Sequence, residues 1–220
     1  MKLYGLVGAG GFGREVMPLV TMQLKLASPD ELVFVVEDKS AESLVNGHKL
    51  ITVEEFFSHP ATDKYFNIAI ASHEVRKRIA ELMLAGGAKP FRINAANSIE
   101  LSNNDIAEGA IFCPFSTVTS NAKIGKFFHA NIYSYVAHDC IIGDYVTFAP
   151  NVHCNGKVII EDQVYVGTGV IIREGTAKRP MVIGQGAVLG MGAVITKSVP
   201  AFTTMVGNPA QPLKSKELTG

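Results

Sequence analysis

The chain has 220 residues, with 20 Lys and Arg against 20 Asp and Glu, and 47% of it is hydrophobic. That length holds one large or two small domains with ample core, and the balanced charge argues against nucleic acid or an anionic membrane as the main partner. No stretch is long and apolar enough to span a bilayer and the N-terminus lacks a signal-peptide pattern, so no membrane insertion and a cytoplasmic location are expected.

The first ninety residues alternate strands and helices. Leu3 to Val7 is an apolar strand that runs into Gly8-Ala9-Gly10-Gly11-Phe12-Gly13 and then a helical stretch through Val16, Leu19 and Val20. Leu32 to Val36 is a second buried strand, closed by Glu37-Asp38. Thr52 with Glu55 forms a capping box for a short helix. Phe66 to Ala71 is a third strand, and Ser72 caps a helix whose apolar face is Val75, Ile79, Leu82 and Met83; Gly86-Gly87 ends it. The basic run Arg76-Lys77-Arg78 on this helix is expected to be solvated rather than to bind a ligand. Strands alternating with helices imply a small parallel sheet with helices on its faces. Phe91 to Asn94 closes the sheet and begins the crossing to a second domain, with no long linker, so close packing is expected.

From Ile106 to Ile172 every sixth residue is aliphatic or small, and a second compact residue recurs four places later, as at Ala122, Ser134, Cys140, Val146 and Val152. The phase breaks after Ile172 and resumes at Ile183, Leu189, Ile195 and Ala201, so Arg173 to Val182 is an external loop. A six-residue period fits neither an α-helix nor an alternating strand; it predicts a β-helix with one short strand and a turn per hexad and three hexads per coil. Val206-Gly207-Asn208-Pro209-Ala210 ends the winding. Cys113, Cys140 and Cys154 show no CxxC spacing and are expected to be buried small hydrophobes of a reducing compartment. The fold class is therefore a Rossmann-like half-domain, residues 1–93, followed by a parallel β-helix, residues 94–220.

Two places carry chemistry. The glycine-rich turn has the form G-x-G-x-x-G between strand and helix, where glycine backbone can approach a phosphate and a helix N-terminus favours negative charge. Glu37-Asp38 stands where a carboxylate binds ribose, which fits NAD and a nucleotide-sugar equally; the small domain favours a mononucleotide. In the β-helix, His138 falls at a corner with its side chain outward. An imidazole there can serve as general base, with Asp139 orienting it.

With these pieces, and with Ile70-Ala71-Ser72 leading to Arg76 and with Gly207-Asn208-Pro209-Ala210, the whole chain resembles bacterial sugar acyltransferases of the sialic-acid O-acetyltransferase type, close to the UDP-4-amino-sugar N-acetyltransferases. The resemblance implies a left-handed β-helix, a homotrimer, acetyl-CoA in a groove between adjacent prisms, and no metal. It implies that the N-terminal domain holds a nucleotide-linked amino sugar through Gly10, Gly11, Phe12, Glu37, Asp38, Ala71, Ser72 and Arg76. His138 would be the base and Asp139 its partner, and Asn131 would lie at the acyl site. Thr147, Gly156, Thr168, Gly190 and Met191 would line the path of CoA. The chain departs from the family where Thr147 replaces a second His, Ala71 a common Gly and Asn94 a common His, and where the Arg173–Val182 loop is longer than in compact members.

The expected activity is acetyl transfer from acetyl-CoA to a nucleotide-linked amino sugar, such as a UDP- or dTDP-4-amino-6-deoxy sugar, with the nucleotide itself left open. O-acetylation of a sugar hydroxyl uses the same parts. Three other readings have less support: a zinc β-helix enzyme using His129, His138 and His153, a non-catalytic nucleotide-sugar-binding module, and an NAD-dependent redox role, for which no hydride-transfer domain is present.

Overall fold

A computed structural model describes residues 1–28, 30–38 and 43–213. The chain opens with β1 (Lys2–Val7), α1 (Gly11–Leu24) and β2 (Glu31–Val36), then β3 (Leu44–Val45), β4 (His48–Thr52) and α2 (Val53–Ser58). β5 (Asp63–Ile68), α3 (His73–Ala85) and β6 (Lys89–Pro90) complete the N-terminal sheet. Its strand order is β3-β4-β2-β1-β5-β6, parallel except for the β3–β4 pair. β1 lies at the centre, which is why Leu3, Leu6 and Val7 are buried.

The capping box forms as read: the Glu55 N–H donates to Thr52 Oγ1 at 3.1 Å and the Thr52 N–H to the Glu55 carboxylate at 2.8 Å. Sequence reading missed the β3–β4 hairpin. Its signal was present, since Asn46-Gly47 takes φ of 49° and 82°, as a two-residue turn between antiparallel strands requires. The third strand stops at Ile68 rather than Ala71. On α3 the buried face is Arg76, Ile79, Ala80 and Met83, while Leu82 is 44% exposed. The helix is rotated from the expected face because Arg76 is drawn inward by carbonyl oxygens.

From Ile93 the chain winds into three parallel sheets, the faces of a prism. The first face contains Ile111–Phe112, His129–Ala130, Thr147–Phe148 and Tyr165–Val166; the second Thr117–Val118, Tyr135–Val136, His153–Cys154 and Ile171–Ile172; the third Lys123–Ile124, Ile141–Ile142 and Val158–Ile160. Each residue pairs with the one three hexads on, as Phe112 with Ala130 and Ala130 with Phe148. The hexad residues point into the prism, so Val118, Val136, Cys154 and Ile172 stack in one buried column. A fully buried Val, Ile or Phe contributes about 1.5–3 kcal/mol, and the set recurs in every coil, so stability accrues along the solenoid. All three cysteines are buried and free; burial pushes the Cys113 thiol up to about 12.

The winding begins two hexads earlier than the period suggested. Ile93–Asn94 and Ile99–Glu100 already pair with the next coil, ahead of the Ile106 hexad from which the period was read. Asn94 and Glu100 hid it, for an end coil has no layer beyond it to exclude water from polar side chains. At the other end the register slips. Ile183 bridges to Val199, not Ala201, and Ala201 is exposed. Pro200 lacks an N–H, so Val199, whose N–H donates to the Val182 carbonyl at 2.8 Å, is the last residue of that rung. The loop is shorter than the expected Arg173 to Val182: residues 173–180 leave the winding, while Met181 and Val182 already pair with Val158 and Ile159, as Ile183 does with Ile160.

The sheet domain packs against the first face. Phe127, at the corner that leads into that face, stacks between Phe66 of β5 and Tyr145. Val16, Met17 and Val20 of α1 share a core with Ile93, Ile111 and Cys113.

Candidate active site

The glycine-rich turn joins β1 to α1. Gly10 is the N-cap and no side chain bonds the first turn, so the leading N–H groups have no side-chain acceptor. Gly13 is required by contact: a Cβ there would collide with the Gly8 carbonyl, so helix and strand could not approach. Gly10 and Gly11 face open space instead. β1 is flanked by β2 and β5, so the chain reverses its direction of winding beside this turn. In open α/β sheets such a switch point opens a crevice at the strand ends.

Ala69 to Ala71 leave β5 on the other side of that crevice. Their position is set by Arg76, which the sequence suggested was solvated and which the resemblance placed on substrate. It is fully buried. Its Nη1 donates to the Ile70 and Ala71 carbonyls at 2.7 and 3.1 Å, and its Nη2 to the Tyr145 carbonyl at 2.5 Å and Thr147 Oγ1 at 2.9 Å. Arg76 thus ties the sheet domain to the prism. Burial pulls its pKa down to about 9, and at neutral pH it remains charged. His129, also buried, lies with Nδ1 3.3 Å from Arg76 Nη1 and Nε2 2.9 Å from the Ile68 carbonyl. Only the tautomer with hydrogen on Nε2 satisfies both contacts. Burial, and then the Arg76 charge, hold its pKa well below the usual histidine value.

Above this junction lies a cleft of about 270 Å³. Gly11, Phe12, Glu15 and Ala71 form one wall, and His129, Asn131, Thr147, Tyr165 and Thr168 of the prism form the other. The structure therefore brings together Gly11, Phe12, Ala71, Asn131, Thr147 and Thr168 from the sequence-based set. Thr147 is engaged by Arg76, and the Asn131 side chain accepts the Ile132 N–H at 2.7 Å. Sequence reading had not singled out Glu15 or Tyr165, since neither belongs to a motif.

Other expected residues lie elsewhere. Glu37 holds Arg78 with two hydrogen bonds of 2.6 and 2.8 Å, and the Arg78 bond depresses its pKa; Asp38 follows it at the carboxyl end of β2. The Ser72 hydroxyl accepts the Val75 N–H at 3.4 Å and donates to Glu74 at 3.0 Å, so it serves as a helix cap. Gly190 and Met191 lie at the corner between the first and second faces, one coil beyond Gly167 and Thr168. Met191 is 83% exposed, and the Gly192 N–H reaches the Thr168 carbonyl at 2.8 Å.

His138 sits on a different corner, between the second and third faces, and is 46% exposed. Asp139 takes a left-handed φ of 58° and its Oδ2 lies 2.8 Å from His138 Nδ1. That contact holds the Asp139 carboxyl below its usual range; burial opposes it weakly, and Asn121 assists from 3.3 Å. Nε2 is left toward the exterior. Gly156 occupies the same position one coil on, and a Cβ there would come within 2.6 Å of the imidazole. The glycine therefore lets the ring lie flat over the next coil. His129 is turned to the sheet domain and His153 lies on the second face, bonded to Asn151 at 3.0 Å. Among the described residues no group of three or more His, Cys, Asp or Glu side chains is arranged to hold a metal ion.

Comparison with known proteins agrees with this architecture. Residues 5–83 match the PglD N-terminal domain and residues 121–156 the bacterial transferase hexapeptide family of six repeats. The chain is 50% identical over 216 residues to a GDP-perosamine N-acetyltransferase of Escherichia coli O157:H7, covering 97% of each chain. It superposes on WeeI from Acinetobacter baumannii AYE with a TM-score of 0.94 at 49% identity, covering 97% of this chain and 100% of that one. The acetyltransferase domain of PglB from Neisseria gonorrhoeae FA1090, solved in complex with acetyl coenzyme A, superposes with a TM-score of 0.84 at 26% identity, covering 96% and 98%.

Proposed function

The chain belongs to the bacterial sugar N-acetyltransferases that join a PglD-type N-terminal domain to hexapeptide repeats, and on that premise we propose that it transfers acetyl from acetyl-CoA to the amine of a nucleotide-linked amino sugar. The observation that carries this reading is likeness to a GDP-perosamine N-acetyltransferase across 97% of both chains. It favours GDP as the nucleotide. The phosphates lie against the N–H groups of Gly10, Gly11 and Phe12, where a helix N-terminus favours negative charge. Asp38 is the carboxylate for ribose or base, because Glu37 is occupied by Arg78.

His138 is the general base. Asp139 holds Nδ1, so Nε2 accepts the proton of the amine as nitrogen attacks the thioester carbonyl. Backbone N–H groups near Gly156 steady the tetrahedral oxyanion. When the C–S bond breaks, the proton on His138 passes to the sulfur and CoA leaves as thiol. Two features favour an assembled site. The cleft is on one side of the prism and His138 on a corner that does not line it. A second copy is needed to bring a His138 corner to the cleft, and a homotrimer is the arrangement the prism supports. No described helix is long and apolar enough to cross a membrane; a cytoplasmic location fits the free cysteines and the CoA requirement.

The test is CoA thiol release from acetyl-CoA with GDP-, UDP- and dTDP-linked 4-amino sugars. His138→Ala should lower kcat by about 10²–10⁴, the worth of a positioned base, with acetyl-CoA affinity unchanged. Near-normal turnover by that variant would remove His138 from the mechanism, and an active monomer in light scattering would refute the shared site.

A further inference from the structure

The insertion that interrupts the hexads brings a second carboxylate to His138. Glu174 Oε1 lies 3.9 Å from His138 Nε2, the nitrogen left free by Asp139, and 3.1 Å from Lys157 Nζ. The loop is tied down on both sides of Glu174. The Arg173 N–H donates to the Ile195 carbonyl and the Gly175 N–H to the Gly156 carbonyl, both at 2.9 Å, and Thr176 and Arg179 close the loop with reciprocal hydrogen bonds of 2.9 and 3.1 Å. Gly175 is pressed against the Lys157 carbonyl so closely that a Cβ would not fit. Lys157 then anchors the carboxylate beside the ring. A salt bridge between exposed groups contributes little to stability, so the ion pair alone gives no reason to hold an acid in front of the base.

The chemistry of the acceptor supplies one. A nitrogen at ordinary hydrogen-bond distance, about 2.9 Å, can reach two acceptors that are 3.9 Å apart. A sugar amine carries at least two hydrogens, so it can give one to His138 Nε2 and one to Glu174. A sugar hydroxyl carries one hydrogen and must leave one acceptor unmet. We propose that Glu174 is the specificity residue that makes this enzyme select an amine over a hydroxyl, by accepting the second N–H of the sugar amine while His138 accepts the first. This rests on the N-acetyltransferase reading. Glu174 neither gains nor loses a proton: N–C forms, C–S breaks, and the proton abstracted by His138 leaves on CoA thiol. With the amine bound as ammonium, the same carboxylate faces the extra charge, and the third proton is released to solvent before attack.

The experiment compares GDP-perosamine with the same nucleotide sugar bearing a hydroxyl in place of the amine, on wild type, Glu174→Ala and Glu174→Gln. Calorimetry measures binding of each sugar, and thiol release measures kcat/KM. Wild type should bind the amine about 10- to 100-fold more tightly than the hydroxyl, the worth of one hydrogen bond to a charged acceptor. In Glu174→Ala that preference should vanish and kcat/KM for the amine should fall by a similar factor, while acetyl-CoA affinity stays the same. Glu174→Gln, which retains an acceptor oxygen without charge, should fall between them and guards against loss of the loop's fold. A preference that survives in Glu174→Ala, or equal losses for both sugars, overturns the assignment while leaving the acetyltransferase reading intact. Failure of wild type to bind or acetylate any amino-sugar nucleotide overturns both.

Discussion

Replacing Arg76 by Met tests whether the sheet domain is held to the prism by one buried cation. Met keeps an unbranched apolar stem and removes the guanidinium. The substitution deletes four hydrogen bonds, to Ile70, Ala71, Tyr145 and Thr147. A buried acceptor left unmet costs about 1–3 kcal/mol. Three factors reduce the sum: Thr147 Oγ1 can still donate to the Ala71 carbonyl, 3.4 Å away, water can reach part of the junction, and the desolvation cost of burying a charge is recovered. A net loss of about 3–5 kcal/mol is expected, in line with breaking other buried charged networks. At about 2–4 °C per kcal/mol for a chain of this size, the thermal midpoint should drop by about 6–20 °C. Circular dichroism melting and urea titration measure it. Arg76 also positions Ala71 at the wall of the cleft, through the Ile70 and Ala71 carbonyls, so KM for the sugar nucleotide should rise while acetyl-CoA affinity holds. Arg76→Lys should recover little, since one ammonium cannot span both pairs of acceptors. A loss under about 1 kcal/mol for Arg76→Met would show that apolar packing alone joins the domains.

Three further substitutions address the site. Gly156→Ala places a Cβ within 2.6 Å of the His138 ring, which must then tilt away from Asp139; kcat should fall by about 10² with little change in melting, and a loss confined to acetyl-CoA affinity would instead make Gly156 only a contact for CoA. Gly11 lines the cleft, and a Cβ there faces open space; Gly11→Val should raise KM for the sugar nucleotide and leave the acetyl-CoA Kd unchanged, and the opposite pattern would reverse the division of labour between the two walls. His129 is held neutral in the fold, with a pKa well below 6.5. The unfolded chain therefore takes up a proton near pH 6.5 that the native state refuses, so this contribution to stability is complete above that pH and is lost as pH falls, by about 1.4 kcal/mol per unit. His129→Gln keeps an N–H for the Ile68 carbonyl and should flatten that share of the slope in urea titrations between pH 6.5 and 5; an unchanged slope would refute the assignment.

Most of the prism was legible because a six-residue period has one structural solution and every coil repeats it. Reading failed at its ends, where Asn94 and Glu100 occupy core positions of a coil with no layer beyond it, and where Pro200 shifts the register from Ala201 to Val199. The contact between His138 and Asp139 was legible for a local reason, since the two are adjacent on one corner; that Gly156 lies one coil on, against the same ring, was not, because the resemblance places Gly156 only on the path of CoA. Arg76 was misread because its partners, Tyr145 and Thr147, are distant in sequence. A basic triplet on a helix looks solvated until the carbonyls that take the place of water around one member are located. Glu174 was obscured by the same loop that breaks the period, which marks an insertion without showing where its side chains turn.

On the proposed mechanism the chemistry is divided between the cleft and the His138 corner, and the rigidity of the solenoid keeps the two apart within one chain. Strands only two or three residues long, locked to both neighbouring coils, leave no hinge by which the His138 corner could swing toward the cleft. The sheet domain has no such freedom either, since Arg76, His129 and the Phe66–Phe127–Tyr145 stack fix it to the first face. If the cleft and the His138 corner are halves of one site, as proposed, no such swing within one chain joins them. What a rigid half-site offers is precision: His138 is oriented by Asp139 and backed by Gly156 before substrate arrives, and the cleft is already formed, so little ordering cost falls on the reaction. In the proposed trimer that cost is moved to assembly, where a second prism supplies the missing wall once and keeps it through every turnover.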